Sequence, residues 1–255
     1  MCNPIWAIAL TLATQTPTPA PQTWPDDRPI THSLQNLGHD LKALPSLTTG
    51  SLLLVGAGGI VVTHPLDQPI DRWVRRQPSS SLAAFGNHVG SSWVQGGAAL
   101  TTWLVGKATG DSETAHIGSD LIRAQALNAV LGTPIKVLVD RRRPTGGRYS
   151  FPSGHTSATF ATAAVLQEHF GWKAAIPGYA VAGLVGWSRI RSDNHWLSDV
   201  AFGAALGLVS GKTVTAGHRR RSWVVVPTRI RSGIAVYVIR QPRVAATHWA
   251  GGSTP

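Results

Sequence analysis

The sequence predicts an all-α fold: a helical bundle of about six helices, followed by a short C-terminal β-hairpin. Three observations carry this. Apolar segments of helical texture follow one another from Ala43 to Thr213, with Gly and Pro breakers between them. Their uncharged runs are short, 11 residues in Gly96 to Gly106 and in Thr156 to Leu166, 15 in Ala174 to Ser188 and 12 in Val200 to Gly211, and such lengths suit buried bundle helices better than membrane spans. Period-two alternation is confined to the region after Trp223. At 255 residues, 43% hydrophobic and 14% charged, the chain can bury a core and is neither disordered nor a coiled coil. No repeat of fixed period occurs, which points to one main domain over residues 26–216.

Taken in order, residues 1–25 read as a leader-like segment and linker. An apolar run, Ile5 to Ala13, precedes a Thr, Pro and Gln-rich stretch, although no Lys or Arg stands before the run. The single cysteine, Cys2, lies ahead of the apolar run and is badly placed for lipidation. One cysteine also excludes an internal disulfide and any Cys-based zinc site. Ala43 to Thr63 holds 21 residues without a charge. That length can span a bilayer, while Gly50, Gly56, Gly58 and Gly59 suit a Gly-packed core helix, and both readings stay open. A mean hydropathy of +0.02 favours neither.

Five further helices follow: Leu82 to Gly106, Ser112 to Val139, Ser153 to Phe170, Lys173 to Ile190, and His195 to Thr213. Gly110 stops one helix, Ser112, Glu113 and Asp120 give the next an acidic start, and Pro134 is expected to end or kink it. Residues 217–255 comprise a basic segment, the hairpin and a tail. Arg219 to Arg221 reads as a solvated helix end, with contact to anionic lipid as the alternative. The hairpin runs through Trp223 to Val226, turns near Ser232 and Gly233, and returns along Ile234, Val236 and Val238.

Lys and Arg number 23 against 12 Asp and Glu, a formal net charge of +11. Charge of this sign invites a nucleic-acid partner, but only Arg141 to Arg143 and Arg219 to Arg221 form runs, and no nucleic-acid-binding motif surrounds either. Nucleic acid is therefore not expected as a partner.

The chemistry gathers between residues 136 and 199. Lys136 and Arg143 are seven apart, close to two helical turns, so both can project from one face of a helix ending before Pro144. Pro152-Ser153-Gly154-His155 opens the next helix. Unsatisfied N–H groups and the positive end of the dipole make such a start an anion cradle, in which Gly154 allows close approach and Ser153 adds a hydroxyl. Farther on, His195 and Asp199 stand one turn apart behind Ser188-Arg189. A carboxylate there can accept the Nδ1 proton and leave Nε2 as an outward lone pair. With no further Asp, Glu or Cys at ligand spacing, no metal is expected at this pair.

These eleven residues, Lys136-x6-Arg143-Pro144, Pro152-Ser153-Gly154-His155 and Ser188-Arg189-x5-His195-x3-Asp199, together resemble the signature of the type 2 phosphatidic acid phosphatase and vanadium haloperoxidase superfamily. The blocks cover about a quarter of the chain. Only seven residues separate Pro144 from Pro152, fewer than the family usually has, so the loop Thr145 to Phe151 must turn tightly. The resemblance implies that Lys136, Arg143 and Arg189 clamp phosphoryl oxygens, with Ser153 and the Gly154 N–H completing the cradle. It further implies that His195 attacks phosphorus to give a phosphohistidine, that Asp199 orients His195, and that His155 protonates the leaving oxygen and then activates water.

The activity so implied is a metal-independent phosphatase without a cofactor, acting on phosphomonoester or diphosphate groups of lipid or polyprenyl substrates. It is expected on the periplasmic side of a bacterial-type cell envelope, anchored in the membrane or peripheral to it. The alternatives are a soluble periplasmic acid phosphatase for small phosphoesters, and a haloperoxidase in which the same residues hold vanadate as cofactor.

Overall fold

A computed structural model describes residues 30–78, 81–216, 223–230 and 233–240. Among the described residues nine α-helices run in order: α1 Ile30–Ala43, α2 Leu47–Thr63, α3 Asp67–Arg75, α4 Ser81–Val89, α5 Ser92–Thr109, α6 Ser112–Val139, α7 Gly154–Phe170, α8 Trp172–Arg191 and α9 Leu197–Val214. A 3-10 turn, His64–Leu66, links α2 to α3. The fold is all-α. The helices lie in a unit spanning Trp24–Ala216. The hairpin lies in a separate unit, where strands β1 Trp223–Ile230 and β2 Gly233–Arg240 pair antiparallel, Trp223 opposite Arg240 and Ile230 opposite Gly233. The leader-like residues 1–25 and the run Arg219 to Arg221 lie outside the described residues.

Local chemistry sets the boundaries. Ser46 Oγ accepts from the Thr49 N–H at 3.1 Å to start α2, and Ser91 Oγ accepts from the Val94 N–H at 3.3 Å to start α5. That second cap divides the expected segment Leu82 to Gly106 into α4 and α5. Gly90 stands at the break, where a Cβ would meet Val185 of α8 at 2.4 Å and His155 of α7 at 3.2 Å. Gly110 ends α5 at φ +69, and Asp111 Oδ1 then caps α6 through the N–H groups of Glu113 and Thr114. Pro134 does not end α6, which continues to Val139. Pro134 and Val130, whose carbonyl loses its helical donor, both lie on the exposed side, where the ring displaces no packed neighbour.

Four helices enclose the core. Ala99 of α5, Ile117, Leu121, Ala124 and Leu127 of α6, Ala161 and Val165 of α7, and Val214 of α9 form one buried cluster. The α7–α9 contact is close, because α9 presents Gly203, Gly207 and Gly211 at intervals of four. A Cβ at Gly203 would stand 2.8 Å from the Ser153 carbonyl oxygen, and one at Gly207 would stand 2.2 Å from that of Ser157. This close approach brings the start of α7 down onto the start of α9.

Both readings of Ala43 to Thr63 find support in α2. Gly56 seats it on α9, where a Cβ would be 2.7 Å from Ala205 Cβ. The rest of its apolar surface faces outward, with Leu54 and Val61 each 75% exposed. Leu47–Arg75 is long and apolar enough to cross a membrane, and only 11% of its apolar window is buried.

Two glycine substitutions separate packing from propensity. G207A should destabilise the fold by about 1–3 kcal/mol, because backbone atoms of α7 must retreat. G183A lies at an exposed position of α8 with nothing within 4 Å and should gain roughly 0.5–1 kcal/mol from helix propensity. Thermal midpoints followed by circular dichroism should move in opposite directions; equal shifts would disprove the close α7–α9 contact.

Candidate active site

The end of α6, the start of α7, the end of α8 and the start of α9 converge. Lys136 sits in the last turn of α6 and donates from Nζ to the carbonyl oxygens of Tyr149 at 3.0 Å and Pro152 at 2.8 Å. Arg143 does not share its helix. Asp140 adopts a left-handed conformation at φ 44 and ends α6, so Arg141 to Arg143 leave as loop. The expected common helical face is therefore replaced by a turn: the Gly146 N–H donates to the Arg143 carbonyl at 2.9 Å, and the Arg143 N–H donates to the Gly147 carbonyl at 2.7 Å. Gly146 takes φ +89, which its missing Cβ permits. This is the tight connection that the short spacing between Pro144 and Pro152 requires.

Arg143 donates from Nε to the Arg148 carbonyl and from Nη1 to Asn194 Oδ1, both at 3.2 Å. Arg189, in the last turn of α8, donates from Nη1 to Asn87 Oδ1 at 2.7 Å, while its buried Nε has no hydrogen-bond partner among the described residues. Neutral acceptors thus hold the three cations, and among the described residues no carboxylate hydrogen-bonds to any of them.

At the start of α7, Ser153 is the N-cap by position but caps nothing; its Oγ pairs with Thr156 Oγ1 at 2.9 Å. The Ser153 N–H donates to the Asp199 carbonyl at 3.1 Å. Gly154 and the residues after it keep the N–H groups that a helix start leaves without intrahelical partners.

His195 is not on the helix, as its spacing from Asp199 suggested. Trp196 is the N-cap of α9, and Asp199 reaches back to accept its N–H at Oδ2, 2.9 Å away. His195 precedes that cap, and its Nδ1 is 3.8 Å from Asp199 Oδ2 but 2.5 Å from the Ser150 carbonyl oxygen. A carbonyl can only accept, so Nδ1 carries the proton and Nε2 keeps the lone pair. The expected tautomer is reached through a different acceptor. The Asp199 carboxylate accepts instead from Ser150 Oγ at 2.5 Å and Arg141 Nη1 at 2.7 Å.

Crowded positive charge leaves its mark on the titrations. Burial first, then the charges of Arg189, His195, Arg143 and Lys136, push the His155 pKa down to about 4. Burial and Arg143 lower Lys136 to about 8 and Arg189 to about 10. Burial also works to raise the Asp199 pKa, yet His195, Ser150, the Trp196 N–H and Arg141 together hold it below its ordinary value. One cluster therefore combines a neutral imidazole, a second imidazole with a fixed tautomer and three cations at a helix start. The chemistry open to such an arrangement is anion binding next to a potential nucleophile and proton carrier.

The structure thus brings Lys136, Arg143, Ser153, Gly154, His155, Arg189, His195 and Asp199 to one place. Several partners were not singled out from the sequence: Arg141, Ser150, Asn194, Asn87 and Asp67. Arg141 and Asn194 lie beside Arg143 and His195, so adjacency was the available signal. Asp67 and Asn87, far back in the chain, carry no such signal.

Comparison with known proteins gives a consistent picture. Residues 117–223 match the family model described as PAP2 superfamily. The chain is 42% identical over 76 residues to a lipid A 1-phosphatase of Porphyromonas gingivalis, covering 28% of this chain and 17% of that protein. It is 29% identical over 76 residues to a lipid A 4'-phosphatase of Helicobacter pylori, covering 30% and 38%. The chain thus spans well under half the length of these curated relatives. Among solved structures, Aquifex aeolicus LpxE aligns with a TM-score of 0.51 at 24% identity, over 59% of this chain and 95% of that one. A transmembrane PAP2 type phosphatidylglycerolphosphate phosphatase from Bacillus subtilis aligns with a TM-score of 0.51 at 17% identity, over 73% and 94%. The helical fold is shared with both.

The titrations can be checked by NMR. His155 should titrate near 4 in the free protein, and saturation with inorganic phosphate should raise its pKa, because the anion offsets the surrounding cations. A value unchanged by phosphate would show that the anion does not bind beside it. Phosphate affinity should weaken as pH rises through about 8, where Lys136 loses its proton, and K136M should lack that alkaline limb.

Proposed function

We propose that this chain, whose residues 117–223 match the PAP2 superfamily model, is a metal-independent phosphatase of that superfamily acting on a phosphorylated membrane lipid through a phosphohistidine. The observation that supports this most directly is the geometry at His195. Its Nδ1–H is fixed on the Ser150 carbonyl, which leaves Nε2 as the nucleophile among Lys136, Arg143 and Arg189.

In this reading the three cations and the start of α7 hold the nonbridging phosphoryl oxygens. The His195 Nε2 lone pair forms a bond to phosphorus as the bond from phosphorus to the leaving oxygen breaks in line. His155 gives its proton to that oxygen. His155 then takes a proton from water, the resulting hydroxide attacks phosphorus, and the bond from phosphorus to nitrogen breaks to release phosphate. His155 is neutral in the free protein, and binding the anion readies it to carry the proton. Asp199 acts as a positioning residue, through Ser150 and the Trp196 cap. Every charge needed is supplied by side chains, so no step calls for a metal or another cofactor.

A lipid substrate is favoured by the outward apolar surface of α2 and by the relatives named as lipid A phosphatases. In this reading α2 anchors the protein in the bacterial envelope, with the site on the periplasmic side. The test is a phosphate-release panel of lipid A, phosphatidate, undecaprenyl diphosphate and p-nitrophenyl phosphate in excess EDTA. Lipid A or another lipid should be preferred. Preference for the small ester would favour the soluble acid phosphatase, and steady halide oxidation by peroxide after vanadate loading would favour the haloperoxidase.

H195A should lose turnover on every substrate and trap no acid-labile phosphoenzyme. H155A should lose roughly a hundredfold to ten-thousandfold on a lipid phosphate, but less in the bond-breaking step on p-nitrophenyl phosphate, whose leaving group needs no proton. A burst of p-nitrophenolate from H155A, ahead of slow dephosphorylation, is expected. The same burst from H195A would reverse the two assignments.

A further inference from the structure

A second polar cluster lies near the beginning of α6 and the end of α7, away from the site described above. His116 and Asp120 are one turn apart on α6, and His169 stands in the last turn of α7. His169 Nε2 is 2.8 Å from Asp120 Oδ2, and His116 Nε2 is 3.6 Å from the same oxygen. The three ligand atoms all fall within 4.8 Å of one another. The two imidazoles meet edge to face with centroids 5.6 Å apart. The side chains of Asp120 and His169 are buried, and that of His116 is one-fifth exposed, which leaves a way in from solvent.

Arg123 ties this cluster to a second carboxylate. Arg123 donates from Nη2 to Asp120 Oδ1 at 2.5 Å and from Nη1 to both oxygens of Asp40 at 2.9 and 2.7 Å. One guanidinium thus serves two carboxylates. Arg123 holds the Asp120 carboxylate through Oδ1 while Oδ2 faces the two histidines, the arrangement by which second partners orient metal ligands.

We propose that His116, Asp120 and His169 form a binding site for a divalent transition-metal ion of the zinc class. Two imidazole nitrogens and one carboxylate oxygen are the donors that such an ion prefers. Tetrahedral bonds of about 2.0–2.1 Å separate neighbouring donors by about 3.4 Å, and the two separations on Asp120 Oδ2, 2.8 and 3.6 Å, bracket that distance. Water supplies the fourth position. Sixteen residues of α6 separate Asp120 from Lys136, about 24 Å of helix, so the ion does not meet the phosphoryl group. The proposal does not rest on the phosphatase reading.

The full chain, stripped with EDTA and titrated with Co2+, should bind one equivalent and show a visible d–d spectrum of tetrahedral intensity. H116A and H169Q should each abolish that spectrum. Zn2+ at about a hundred times its Kd should raise the melting midpoint of the parent protein by several degrees and leave that of H116A unmoved. A proton in place of the metal, as in a simple His169–Asp120 ion pair, predicts no stoichiometric cobalt and no zinc-dependent midpoint, and that result would overturn the proposal. So would cobalt retained equally by both variants, which would place it elsewhere. The parent protein's spectrum decides the matter even if H169Q fails to fold.

Discussion

The site rests on keeping one carboxylate ionised where no solvent reaches it. Asp199 is fully buried, and an isolated carboxylate there would take up a proton or cost several kcal/mol. Its partners are Arg141 Nη1, Ser150 Oγ and the Trp196 N–H. They come from the loop after α6, the loop before α7 and the cap of α9. Satisfying this one group therefore draws three segments together, and His195, placed between Asn194 and the cap, is delivered to the Ser150 carbonyl. Asp67 repeats the device one step out: it accepts from the Ser198 N–H at 2.9 Å and from Arg141 Nη2 at 2.7 Å, tying α3 to the same point.

The cations pose the opposite problem. Lys136, Arg143 and Arg189 repel one another and both histidines, and burial adds to the cost. The protein meets them with carbonyl and amide oxygens, which orient a cation without cancelling its charge. Carboxylates in those places would give a more stable resting protein with nothing left to attract an anion. Burial and this repulsion together lower the His155 pKa, and an anion bound beside the cations would relieve the repulsion.

Much of this was legible in the sequence, because motif spacing reports what a helix start or end can do over short distances. The helix start at Gly154 follows from local rules, and the tautomer of His195 was expected from Asp199 but is set by the Ser150 carbonyl, 45 residues away. Local rules failed where a longer-range partner competed. The seven-residue spacing of Lys136 and Arg143 suggested a shared helix, but Asp140 turns left-handed and releases the arginines to Asp199, Asp67 and Asn194. His195 and Asp199 at i, i+4 suggested a direct hydrogen bond, but the carboxylate is engaged at Trp196 and Ser150. Asp67 and Asn87 were invisible, since only the folded bundle brings them within reach of Arg141 and Arg189.

Helices α6 and α7 carry clusters of opposite character at their two ends. Lys136 and the start of α7 gather positive charge, while Asp120 and His169 belong to a cluster in which carboxylates outnumber guanidinium groups. Between them lie Ala124, Leu127, Ala161 and Val165, all fully buried and without a polar atom beyond the backbone. Beside them Gln125 donates to Thr162 Oγ1 and to the Ala158 carbonyl, and Thr162 donates to Gln95 Oε1, so a polar network joins α5, α6 and α7 there. The separation of about 24 Å exceeds the Debye length of about 8 Å that governs the solvent-exposed margins of each cluster at physiological salt. What the ends do share is the rigid packing of α6, α7 and α9, so a change at one reaches the other as stability of the common scaffold. This division lets one end of α6 and α7 stay electrostatically strained while packing elsewhere along the same helices holds them in place.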